Sequence, residues 1–355
     1  MVHQITLNEL VIAIIVVFIM VMVMIIAVLL YSLYQYRILH NRQIWTRIIE
    51  NKIIESIVGG HQAEADDQSF NSNLRKYAFR DFFLGLLVTS ERKFSGAARQ
   101  EISFLFHQYH LEKEAWKNLK KKKNYLVVAG IQELSAMGVT RALSVFTSFL
   151  KHSDRLIYQE AQYAVLTFKG FEGLSFLNTL HSPLSDWQQL RLLHSITEIP
   201  DSHDLSPALW LESSNITVII FTFRLIRKFQ LLTFYNAVLK LLDHDHVHVR
   251  KEAVRTLESL ENDDTVHQLT TSFPQQPLSV QLEILKALKR SKSMECLAFL
   301  KQQFLEHPDN AIKIAAAEVM VCLGQEQYLT DMALDSNTAL RFKQIVNHAL
   351  QKKIC

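Results

Sequence analysis

An apolar pattern recurs about every 31 residues through most of this chain, and no rule of secondary structure alone forces that regularity. Its clearest copy is Asp243 to Leu260, DHDHVHVRKEAVRTLESL, in which Val249, Ala253, Leu257 and Leu260 stand at offsets 0, +4, +8 and +11. Those offsets share one face of an α-helix. Moving the frame both ways puts offset 0 at Leu126, Ile157, Gln188, Val218, Val249, Val280 and Ile312, with steps of 31, 31, 30, 31, 31 and 32. At +8 stand Leu134, Val165, Ile196, Ile226, Leu257, Leu288 and Met320, all apolar in a chain that is 49% hydrophobic. Small residues at +4, Gly130, Ala161, Thr222, Ala253 and Ala316, let two helices approach closely, although Leu192 and Ile284 depart from the rule.

Asp154, Ser185, Asn215 and Asp309 stand three residues before the frame, where a side-chain oxygen can accept from the free amides of a first helical turn. Between these helices lie shorter apolar segments, Ala142 to Leu150, Leu174 to Leu180, Phe234 to Leu242 and Met294 to Leu305, suited to an outer helix. Two helices per period make an α-solenoid, and nine Gly and six Pro in 355 residues agree with helices joined by short turns. Ile216 to Phe223, ITVIIFTF, reads as a strand by propensity, yet the frame assigns it to a helix because burial commonly overrides propensity.

From Leu126 to Leu323 the chain resembles HEAT or armadillo-like repeat proteins, which implies an all-α, right-handed solenoid of helix pairs. Only Arg250 and Lys313 supply the basic residue that many HEAT repeats carry after the first apolar position. Some HEAT-like solenoids are enzymes, alkylpurine DNA glycosylases and bilin lyases among them, but their active residues do not map onto this chain.

Leu10 to Leu33 carries no charge over 24 residues, about 36 Å as a helix and enough to cross a bilayer with some tilt. Glu9 precedes it in place of a basic cluster and no small-residue cleavage site follows, so an uncleaved anchor at residues 10–33 is expected rather than a signal peptide. Tyr31, Tyr34 and Tyr36 mark the interface, and Arg37, Arg42, Arg47 and Lys52 follow on one side only. The positive-inside rule then puts residues 1–9 outside and the rest in the cytoplasm, at the inner membrane. Residues 34–58 read as an amphipathic stalk, with Ile38, Trp45, Ile48, Ile49, Ile53 and Ile57 on one face, which lies on headgroups, pairs with a second copy or packs on the protein's own first helices. Residues 59–73 read as a flexible linker, 74–125 as irregular first helices from Leu74 to Val88 and Ala97 to Leu119, and 126–355 as the solenoid. Phe342, Val346 and Leu350 predict one last helix. The whole arrangement resembles bacterial HEAT-repeat membrane proteins.

Candidate sites are few. Lys120, Lys121, Lys122 and Lys123, near Trp116 and Tyr125, have the makings of a nucleic-acid patch. Glu112 and Glu114 dilute it and the net charge is only +3, so a solvated turn or anionic lipid, shared with Arg37, Arg42 and Arg47, is the nearer reading and no nucleic-acid partner is expected. His244, His246 and His248, interleaved with Asp243 and Asp245, carry ligand chemistry suited to zinc or nickel. They also fall in the turn into a repeat helix, where Asp245 or His246 has a capping role; His107, His110 and Glu114 are a weaker set. Cys296, Cys322 and Cys355 lack CxxC spacing and read as reduced thiols. There is no GxxxxGK, GxGxxG, HExxH or GxSxG, so no cofactor or catalytic residue is expected. The expected function is a membrane-anchored adaptor that binds a protein, such as an inner-membrane enzyme or transport complex. Exposed positions at +1 and +5 in the central repeats, Ile219, Phe223, Arg250, Val254, Gln281 and Leu285, are the expected contact residues. A solenoid enzyme or small-ligand sensor is the alternative.

Overall fold

The computed structural model describes residues 7–59, 68–199, 206–335 and 339–351, and among them there are helices and no strands. The chain divides into two compact units, Met1–Ala164 and Val165–Cys355.

In the first unit the expected anchor and stalk are one uninterrupted helix, α1 (Leu7–Gly59). Its apolar side chains are exposed at Val11, Ile12 and from Ile14 through Tyr34, while Ile49, Ile53 and Ser56 are buried and Ile38, Trp45, Ile48 and Ile57 are half-buried. Of the three stalk alternatives, packing on the protein's own helices is the one observed: α1 rests on α3 (Tyr77–Glu91) and α4 (Ala97–Gln108). Trp45 meets Phe79 edge-on at 5.6 Å between ring centroids. The linker expectation is corrected at its end, since Gln68–Leu74 forms α2 with Phe70 buried against Phe79, Phe83 and Tyr109; residues 60–67 of that expectation lie outside the described residues. The expected helix from Ala97 to Leu119 is two, α4 and α5 (Glu112–Leu119), because His110 takes a left-handed conformation, φ 50°, that ends the first. α6 (Asn124–Ala136), α7 (Leu143–Phe149) and the start of α8 (Arg155–Lys169) complete the unit. Gly130 on α6 lets α5 approach so closely that a Cβ there would stand 2.8 Å from the Leu119 amide nitrogen.

In the second unit the inner helices are α9 (Asp186–Ser195), α11 (Ile216–Phe229), α13 (Val247–Ser259), α15 (Leu278–Ser291) and α17 (Asn310–Cys322), and from α11 onward each packs on the next. Shorter α10 (Ser206–Leu211), α12 (Tyr235–Lys240), α14 (Thr265–Ser272), α16 (Leu297–Glu306) and α18 (Glu326–Leu334) alternate with them, and α19 (Leu340–Gln351) is the expected last helix. The outer element expected from Leu174 is a 3₁₀ helix, Gly170–Thr179. Frame positions 0, +4 and +8 are buried throughout α11, α13, α15 and α17, including Val218, Ala253, Ile284 and Met320. Burial of one face, with Asn215 capping the first turn, holds ITVIIFTF in a helix against its strand propensity. Caps form where expected at Asp154, Ser185, Asn215 and Asp309. Cys296 is a buried free thiol, as expected, and Cys355 lies outside the described residues.

Candidate functional site

The residues expected to contact a partner are not a free surface. Ile219, Phe223, Val254, Gln281 and Leu285 are buried, and Arg250 is half-buried with its guanidinium on the His244 carbonyl. The reason is angular. At about 100° per residue the stripe at 0, +4, +8 and +11 centres near 40°, while +1 and +5 lie near 100° and 140°. That flank meets the neighbouring repeat. The side opposite the stripe falls near +2, +6 and +9.

On α11, α13 and α15 the +6 and +9 positions of that side are all charged, while +2 is Ile220, Lys251 and Leu282. The three helices carry nine Lys and Arg against three Glu, and two of the Glu lie beneath the cations. The Glu252 and Glu283 side chains are 5% exposed, whereas Arg255 is 40%, Lys286 63% and Arg290 65% exposed. Arg227 Nη2 reaches Glu252 Oε2 at 2.8 Å, Arg255 joins Glu252 Oε1 at 2.6 Å to Glu283 Oε1 at 2.7 Å, and Lys286 lies 3.8 Å from Glu283. Burial alone would raise both carboxyls; the charge and hydrogen bonds of Arg227 and Arg255 for Glu252, and of Arg255 for Glu283, outweigh it and hold them below the usual range. The ladder presents cations outward. Glu252 and Glu283 share offset +3 with Glu160, a recurrence visible in the sequence but outside the apolar frame.

The histidines serve the backbone. His246 caps α13 by accepting from the His248 amide, and His244 Nδ1 accepts from the His246 amide at 3.0 Å. No group of three or more His, Cys, Asp or Glu able to hold a metal occurs among the described residues. Glu114, from the weaker set, is buried and taken by Arg80 through two 2.9 Å hydrogen bonds. Lys120 to Lys123 form the turn between α5 and α6, with Lys121 donating to the Tyr77 hydroxyl at 3.2 Å and Lys123 over the Tyr125 ring. Arg37, Arg42 and Arg47 are exposed along α1.

Sequence reading missed a groove of about 700 Å³ where α1 crosses α3, a volume suited to a small ligand. Tyr34, Ile38, Arg42 and Trp45 line it from α1, Tyr77, Asp81 and Phe82 from α3, and Glu133 from α6. Glu133 is buried, and Asn118 Nδ2 donates to it at 2.9 Å while lying 3.5 Å from Asp81 Oδ1. Burial pushes the Glu133 carboxyl up to about 7, against the Asn118 hydrogen bond and with help from the Asp81 charge. Residues 42, 81 and 133 meet only in three dimensions, and their one sequence signal is a lone Glu on the apolar α6.

No known family profile matches the sequence, and no curated protein matches it. Among solved structures, the chain is similar to an engineered protein from a structural genomics consortium, with 14% identity, TM-score 0.35 and coverage of 84% of this chain and 98% of the other. It is also similar to the complex of CpcE and CpcF of phycocyanin lyase from Nostoc sp. PCC7120, with 12% identity, TM-score 0.24 and coverage of 75% and 94%. Likeness at that level carries no functional argument, and the helical-repeat fold rests on the helices and burial pattern described above.

Proposed function

We propose that this protein is a membrane-anchored adaptor whose right-handed, HEAT-like solenoid binds an acidic protein surface through the outward cations of α11, α13 and α15. The observation that carries this reading is the ladder, in which Arg255 and Lys286 lie over the buried Glu252 and Glu283. Buried acids fix the cations in place, so a partner meets a preorganised positive face at small entropic cost. The anchor reading is supported by α1, a helix long and apolar enough to cross a membrane from Ile14 onward, with its apolar side chains exposed. Arg37, Arg42 and Arg47 favour the inner membrane with the C-terminal side in the cytoplasm, where an integral enzyme or transport complex is the fitting partner.

Affinity capture by the full chain from detergent-solubilised membranes tests this, comparing wild type with Lys251→Gln/Lys286→Gln. These lysines attract Glu283 without forming its short hydrogen bonds, and neutral glutamines add no repulsion beside it, so the variant should stay folded with a slightly lower melting temperature and lose most of the captured partner. Capture that survives both the variant and a high-salt wash would refute the cationic face. A small-ligand sensor is the second reading, favoured by the groove around Glu133.

A further inference from the structure

The groove between α1 and α3 holds charges of both signs that do not pair with each other. Arg42 makes no ion pair among the described residues, and its guanidinium lies 5.9 Å from the Phe82 ring centroid. Asp81 has no cation within ion-pair distance among the described residues. Lys121 acts on Asp81 and Glu133 electrostatically while its ammonium donates to Tyr77. Two carboxylates already converge on one nitrogen, Asn118 Nδ2, at 2.9 and 3.5 Å. An ammonium group with three N–H donors can bridge such a pair in the same way.

We propose that this groove holds the headgroup of a zwitterionic aminophospholipid, its primary ammonium between Asp81 and Glu133 and its phosphate on Arg42. The inference rests on the membrane-anchor reading, and α1 supplies the reason that the ligand is a lipid of the surrounding bilayer. The helix that carries the apolar run continues without a break into the groove wall at Tyr34 and Ile38. At 1.5 Å per residue Ile38 lies about 6 Å and Arg42 about 12 Å beyond Tyr34. The headgroup layer is about 5–8 Å deep, and helix side chains lean toward the N-terminus, here the bilayer side. The exposed apolar side chains of α1, from Leu33 back toward Val11, are placed to meet the acyl chains. An anionic headgroup would satisfy Arg42 and be repelled by the carboxylates. Phosphatidylcholine has both charges, but its quaternary ammonium donates no hydrogen bond.

The test is native mass spectrometry of the full chain in mild detergent, supplied in turn with phosphatidylethanolamine, phosphatidylcholine and phosphatidylglycerol. Phosphatidylethanolamine should be retained about tenfold better than either, the effect of one charge-assisted hydrogen bond. Asp81→Asn/Glu133→Gln should bring its retention down to that of phosphatidylcholine, and Arg42→Gln should weaken retention of all three. Should the double variant melt early, Asp81→Asn alone, at a half-exposed position, carries the comparison. Equal retention of the three lipids, preference for phosphatidylglycerol, or an unchanged preference in the carboxamide variants would overturn the proposal. Extraction of the protein from membranes by alkaline carbonate would defeat the anchor reading separately, since headgroup selectivity in detergent is read without it.

Discussion

Gly130→Ala adds one methyl group at the +4 position of the first repeat helix, where helix propensity and packing pull in opposite directions. In a helix interior the change gains ~1 kcal/mol from propensity. Against this, the new Cβ would lie 2.8 Å from the Leu119 nitrogen, 3.0 Å from the Ala115 oxygen and 3.2 Å from the Asn118 Cβ. Ordinary contacts are about 3.5–4.0 Å, so α5 must move away from α6 by roughly half an ångström or more. Two of the three obstacles are backbone atoms, which cannot rotate aside. Overpacking of this kind costs about 1–3 kcal/mol, and with rigid neighbours the upper half applies, leaving a net loss of about 1–2 kcal/mol. Gly85→Ala on α3 is the matched control, because a Cβ there meets nothing within 4 Å and the propensity gain should appear in full. Urea unfolding of the full chain in detergent, followed by circular dichroism, should move the two midpoints in opposite directions. Equal stabilisation by both substitutions would refute the close approach of α5 and α6 and, with it, the role of small residues at +4.

Glu133 binds its proton more tightly in the folded chain, at about 7 against an ordinary 4.5, so its stabilising contribution is full below about pH 4.5 and is lost as pH rises through about 7. At ~1.4 kcal/mol per unit the loss is of order 3 kcal/mol, and Glu133→Gln should flatten that part of the stability–pH profile; an unchanged slope would contradict it. Arg255→Met should cost about 1–3 kcal/mol by leaving the buried Glu283 Oε1 without its hydrogen bond. Adding Glu283→Gln should recover part of that loss in a double-mutant cycle, and strict additivity would mean that the ladder carries no coupling. A reporter active only in the cytoplasm, fused after Cys355, should be active, and replacing Arg37, Arg42 and Arg47 by Glu should scramble orientation; an inactive fusion would reverse the topology.

The stripe at 0, +4 and +8 was legible because a helix in a stack must bury one face whatever its neighbours, and the caps were legible because each acts within its own first turn. Ile219, Phe223, Val254, Gln281 and Leu285 were misread because the frame of a single helix does not show how wide an arc the adjacent repeat covers. Apolar side chains at +1 and +5 were the available warning, since an exposed face seldom needs Phe223 and Leu285. The stalk face was visible from Ile38 to Ile57, but which surface it meets is a tertiary fact. The break at His110 has no Pro or Gly to announce it, and helix α2 was hidden in a polar segment where Phe70 is the fully buried side chain among the described ones. The groove was beyond reach because Arg42, Asp81 and Glu133 converge from three helices.

Helix α1 is proposed to lie in a bilayer along its first part, while its last part packs on the protein's own helices. Single cysteines placed along residues 11–58 of a chain otherwise free of cysteine, probed in native membranes with a membrane-impermeant maleimide, test both halves in one scan. The predicted result is continuous protection from Val11 to about Leu33, then labelling with helical periodicity from Trp45 to Ser56, with Ile49, Ile53 and Ser56 protected and Glu50, Ile54 and Glu55 reactive. Labelling throughout residues 11–33 would contradict the membrane span, and uniform labelling from residue 45 to 56 would contradict the docked helix.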